Sequence, residues 1–218
     1  MNPVITFALA MSCTIPALIG LIRYAKIDSA FHPFIWVVVY DFITELIAGL
    51  PIILKQDENS MYAVYTFYPF ISSFLYLLFF YRIHLIRSKL FVWAFPLSAF
   101  LVYAVVSIVV FHKFIGSSFI IWFDAGFGMF NIIMAILLLG SQVVYTKTPA
   151  LKNPKTLIAV GYILMNSFFV FTKLLITMDL LKGSDINYSI YSIFKVLNSS
   201  SYLIYAWAIL WVPRKTTY

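Results

Sequence analysis

Five ionisable side chains stand well inside long apolar runs of this chain: Asp41 and Glu45, Asp124, Lys173, and Lys195. Carboxylates placed this way can bind cations or take up and release protons. Ammonium groups can bind an anion, or hold an acid in one of two states. A charge near mid-bilayer costs at least about 2.5–3.5 kcal/mol on insertion scales, so such residues are expected to face a bundle interior, pair with one another and mark a ligand or ion path. Asp179 stands at the very end of a run, within reach of water, and is left out. If all five ionise, three acids against two lysines leave one formal negative charge.

Helical spacing gathers further polar residues around them. Asp41 and Glu45 are four apart and share a face. Asp124 stands two turns before Asn131, and Asn166 two turns before Lys173. Lys195, Asn198, Ser199 and Tyr202 follow the same helical repeat, as do Tyr65, Tyr68, Ser72 and Tyr76. Five runs thus each carry one polar stripe, which is expected to point inward. Asp124, Lys173 and Lys195 are expected at one depth, Glu45 near the middle of the membrane and Asp41 about one turn deeper. The expected arrangement pairs the two lysines with Asp124 and Glu45 above a floor of amides. The candidate ligand- or ion-binding set is therefore Asp41, Glu45, Asp124, Asn131, Asn166, Lys173, Lys195 and Asn198. The plainer alternative is a network that fixes helix packing by hydrogen bonds across helices. Five ionisable groups gathered by depth favour function over that alternative. Gly126 and Gly128, in "DAGFGMFN", can serve close helix approach or admit a ligand to the backbone.

Other chemistries leave no trace. His32, His84 and His112 are scattered, with no HExxH, no GxSxG elbow and no GxxxxGK loop. No metal or cofactor is expected. The serines of "LNSSSYL" near Lys195 permit a Ser–Lys hydrolase, since a desolvated lysine can act as a base, but serines are common in packed membrane helices. A lysine on a seventh run invites comparison with retinal proteins. The third run, "YAVYTFYPFISSFLYLLFFY", holds no acid to serve as counter-ion, so the comparison is not carried over.

The elements that position these residues follow from composition. The chain is 63% hydrophobic and 11% charged, against about 45–50% and about 25% in soluble domains. It is read as an all-α integral membrane protein forming a single transmembrane domain. Seven runs reach bilayer length: approximately 3–22, 33–54, 62–81, 91–111, 119–144, 157–180 and 188–212. The linkers are too short for a soluble domain. Barrel strands are excluded because the runs far exceed strand length and show no alternation. The single Cys13 rules out an internal disulfide. "LAMSC" loosely matches a lipoprotein box, but the apolar run continues past it, so an uncleaved first helix is expected. Pro16, Pro51, Pro69 and Pro96 lie within runs, and kinks are expected at some of them.

The net charge of +7 does not signal nucleic acid, because basic residues concentrate in alternate loops. One side holds ten: Arg23, Lys26, Arg82, Arg87, Lys89, Lys147, Lys152, Lys155, Arg214 and Lys215. The other holds Lys55, Lys113 and Lys182, diluted by Asp57, Glu58 and Asp185. The positive-inside rule then places the N-terminus outside and the C-terminus in the cytoplasm, in the cell membrane. Trp36, Trp93, Trp207 and Trp211 fall near the basic side and Trp122 near the other, as aromatic belts do.

The layout is similar in architecture to sugar transporters of the SWEET type, which are built from parallel repeats. "ISSFLY" on the third run echoes "SSSYLI" on the seventh, but no PQ dipeptide occurs and no family follows. Three functions are expected, in this order. The first is a small-solute transporter with carboxylates available for proton coupling. The second is a sensory receptor that signals through a separate cytoplasmic partner, by way of "YRIHLIRSK" and "YTKTPALKNPKT". The third is an intramembrane lipid-modifying enzyme using Asp41, Glu45 or Asp124 as acid or base. Anionic lipid headgroups give the basic loops a further use.

Overall fold

Within a bilayer no water is present to satisfy backbone polar groups, so a run of this length must bond to itself as a helix. The computed structural model describes residues 3–54, 59–112, 119–145, 148–177 and 184–215. Lys55, Asp57, Glu58, Lys113, Lys147, Asp179 and Lys182, which entered the charge count or were weighed above, lie outside them. The helices are α1 (Pro3–Ala10), α2 (Thr14–Arg23), α3 (His32–Leu54), α4 (Asn59–Arg82), α5 (Lys89–Val109), α6 (Ile120–Tyr145), α7 (Pro154–Thr177) and α8 (Ser184–Trp211). Seven spans are long and apolar enough to cross a membrane, and the chain is a multi-pass integral membrane protein. Among the described residues no strand occurs, and β pairing is limited to one isolated bridge, Ile27 with Arg214.

The first span comprises α1 and α2, joined by one 3-10 turn at Met11–Cys13. Pro16 supplies the reason: it has no N–H to give the carbonyl of Ser12, so the regular ladder lapses there. Carbonyls just before the turn gain side-chain donors. Ser12 Oγ donates to the Leu9 carbonyl at 2.7 Å and Cys13 Sγ to that of Ala10 at 3.0 Å. By contrast α4 and α5 run unbroken through Pro69 and Pro96, and α3 through Pro51.

The helices pack in a ring. α2 lies against α3, α3 against α4, α4 against α6, α6 against α7, α7 against α8, and α8 back against α1 and α2. α5 stands at the periphery beside α4, with Leu97, Leu101, Val105 and Ile108 exposed as lipid-facing residues are. It is held by rings: Phe70 meets Phe100 edge-on at 5.2 Å, and Tyr103 meets Phe123 edge-on at 5.5 Å.

The interior has two zones. Toward the basic end it is a plug of fully buried aromatics, Phe34, Phe79, Phe80, Tyr162 and Tyr205. Tyr76 meets Tyr162 edge-on at 4.4 Å and Phe34 meets Tyr205 edge-on at 5.2 Å. Such offset contacts favour the rings beyond their buried area alone. The same end is tied at its surface. Arg23 donates to the carbonyls of Ile209 and Val212, and Lys215 N donates to the Lys26 carbonyl at 2.9 Å. Trp207 Nε1 donates to the Leu151 carbonyl at 2.9 Å. Beyond the plug lies the polar zone.

Candidate functional site

The polar zone is assembled from five helices. On α3 Asp41 and Glu45 stand one turn apart, and each reaches a different neighbour. Asp41 is 1% exposed and accepts from two tyrosines: Tyr68 OH of α4 at 2.8 Å on Oδ1, and Tyr202 OH of α8 at 3.3 Å on Oδ2. The Tyr68 ring is stacked on Tyr40 at 5.7 Å, which fixes where its hydroxyl points. Glu45 Oε2 lies 3.5 Å from Lys195 Nζ of α8. The second lysine takes its own acid: Lys173 Nζ of α7 donates to Asp124 Oδ2 of α6 at 2.6 Å. That is the short end of charge-assisted hydrogen bonds. Lys173 also lies 5.0 Å from the centre of the Phe169 ring.

Two ion pairs therefore stitch α3 to α8 and α6 to α7. The third acid, Asp41, is held by hydroxyls rather than by an ammonium group. Such a carboxyl can exchange a proton without breaking an ion pair.

The amides occupy the same interior in a different manner. Asn166 Nδ2 folds back onto the Tyr162 carbonyl of its own helix at 3.0 Å. Asn131 and Asn198 are buried, and their side-chain oxygens have no hydrogen-bond partner among the described residues. An unmet buried acceptor costs about 1–3 kcal/mol. Gly128 sits where α6 meets α7: a Cβ there would come 2.5 Å from Val170 Cγ2. Its role is helix approach. At Gly126 nothing lies within 4 Å of an added Cβ.

The first span joins the zone at the end of α1, just before its irregular turn. Ser199 Oγ, one turn from Lys195, is shared between the Leu9 carbonyl at 2.8 Å and the Lys195 carbonyl at 2.9 Å. Cys13 is buried within Coulombic range of Asp41, Glu45 and Lys195.

Sequence reasoning set Asp41 among the candidates without its partners. Tyr68 and Tyr202 were legible as members of polar stripes, and Pro16 was the signal for the irregular turn. One stripe member departs from expectation: Tyr65 is 45% exposed, near the far end of α4 and outside the polar zone. The chain was compared with protein-family models, with curated proteins and with solved structures, and none matches it.

Proposed function

We propose that the protein is a small-solute transporter of the cell membrane, with its N-terminus outside and its C-terminus in the cytoplasm. The observation that carries this reading is the 3-10 turn of the first span, preceded directly by the end of α1, where Leu9 is bonded through Ser199 to the α8 turn that holds the Lys195–Glu45 pair. Mid-helix 3-10 turns often mark hinges, and irregular helix segments beside charged groups recur where transporters bind their cargo. A solute bearing a charged group competes for Lys195 or Glu45, opens that pair, and shifts α8 against α3 and the first span. Asp41 lies where the polar zone meets the aromatic plug, and its proton exchange couples solute binding to parting of the plug. The candidate residues Asn131, Asn166 and Asn198 supply hydrogen bonds to the uncharged part of the solute, with Asp124 and Lys173 closing the opposite wall.

The test is flux in liposomes reconstituted with the full chain, with candidate solutes and a proton-sensitive dye inside. Wild type is compared with Lys195→Ala, Glu45→Gln and Asp41→Asn. The expected result is loss of flux in the first two and loss of proton coupling in the third. Equal flux in all four would sink the site.

One observation favours a second reading, a receptor. The plug of Phe34, Tyr76, Tyr162 and Tyr205 fills the basic half, and a receptor needs no passage through it. A ligand that raises the melting temperature only when Lys195 is present, while no solute crosses, would select this reading and a cytoplasmic signalling partner with it.

A further inference from the structure

The basic end holds a cavity of about 630 Å³ between the start of α3, the end of α4 and the start of α7. Three cations line it together: Arg82, Arg87 and Lys155. A turn at the end of α4 brings the two arginines to one wall. His84 adopts the left-handed conformation there, with φ 63°. Its N–H bonds back to the Tyr81 carbonyl at 3.0 Å, and that of Leu85 to the Phe80 carbonyl at 2.9 Å. This is the Schellman pattern that reverses a helix end. It sets Arg82 on one limb and Arg87 on the other, both facing the cavity.

One acid, Asp28, stands at the rim. Asp28 Oδ1 accepts from Ala30 N at 2.9 Å, capping the turn that leads into α3. Among the described residues, the side chains of Arg82, Arg87 and Lys155 find no hydrogen-bonding or ion-pair partner. With three cations against the single Asp28 carboxylate, the lining keeps a formal excess of two positive charges, which an anion would offset. The floor is apolar, with Phe31 and Ile83 buried beneath the cationic rim. The volume falls within the range of about 300–1,000 Å³ usual for small-molecule pockets.

We propose that this cavity binds a phosphate ester, gripped by the guanidinium forks of Arg82 and Arg87 and by the Lys155 ammonium. Guanidinium forks match phosphate oxygens two at a time. Basic pockets between helix ends at a membrane surface take phosphorylated headgroups. A lipid headgroup and a soluble phosphate ester offer the same group, and the experiment separates them.

Purified full chain in neutral detergent is titrated with dioctanoyl phosphatidylglycerol, dioctanoyl phosphatidylcholine, glycerol phosphate and inorganic phosphate. Melting is followed by tryptophan fluorescence. The expected result is a rise in melting temperature with phosphatidylglycerol or with the soluble phosphates, and none with phosphatidylcholine. A rise only with phosphatidylglycerol assigns the site to a lipid; a rise with the soluble phosphates assigns it to a soluble ester.

Arg82→Gln and Arg87→Gln are each expected to weaken the apparent affinity about fivefold. Arg214→Gln removes the same charge from the same end and is expected to leave affinity unchanged. Arg82→Lys with Arg87→Lys keeps the charge, loses the forks, and is expected to bind more weakly than wild type even should the glutamine variants unfold. No stabilisation by any phosphate, an equal loss in Arg214→Gln, or undiminished affinity in the lysine pair would overturn the proposal.

Discussion

The hydroxyl of Ser199 lies 2.8 Å from the carbonyl oxygen of Leu9 and 2.9 Å from that of Lys195. One side chain thus joins the end of α1, just before the irregular turn of the first span, to the turn of α8 that presents an interior ammonium group. Ser199→Ala removes this link while Ser12 still serves the Leu9 carbonyl. The expected loss is about 1 kcal/mol of stability. Thermal unfolding in detergent measures it, and a transport assay should show a larger proportional change than the melting curve.

The Asp124–Lys173 pair should respond as a unit. Lys173→Met leaves a buried carboxylate without its counter-charge, and single removals of this kind cost about 3–5 kcal/mol when both partners are dry. Lys173 retains 25% side-chain exposure, so the lower end of that range is expected. Adding Asp124→Leu should recover much of the loss. Denaturation of the two single variants and the double variant closes the cycle, and simple additivity would contradict the contact.

Glycines of α6 and α7 provide a sharper contrast. Gly128→Ala drives a methyl group into Val170, and Gly161→Ala drives one into the Tyr205 ring of the plug. Each should cost about 1–3 kcal/mol through overpacking. Gly126→Ala and Gly140→Ala meet nothing within 4 Å and should be tolerated or slightly stabilising. Comparing melting temperatures of the four variants checks the helix register directly, because Gly126 and Gly128 are only two positions apart.

His84 occupies a left-handed position that glycine adopts without steric cost. His84→Gly should therefore raise stability by about 0.5–1 kcal/mol. The melting temperature without added phosphate reports it.

The spans were legible because bilayer thickness imposes a length on every apolar run. The stretches read as 33–54 and 91–111 fold as His32–Leu54 and Lys89–Val109. The inward stripes were legible for a related reason: a charge such as Lys195 has nowhere else to go. Partner choice was less so. Spacing and depth set the two lysines against Asp124 and Glu45 without saying which takes which; the structure pairs Lys195 with Glu45 and Lys173 with Asp124. Which acid meets which lysine depends on ring order and helix rotation, and no local pattern encodes either. The cavity at the basic end was hidden for the same reason. Lys155 comes from α7, far along the chain from Arg82 and Arg87, and the left-handed His84 that turns those two inward carries no glycine to announce it.

The seam between the first span and α8 has a bearing on biogenesis. Leu9 waits for Ser199, and the carbonyls of Ile209 and Val212 wait for Arg23, across separations of 186 to 190 positions. During synthesis the first span must therefore reside in lipid with this edge uncovered until α8 leaves the ribosome and enters the bilayer. Closure of the ring across this seam must follow insertion of α8.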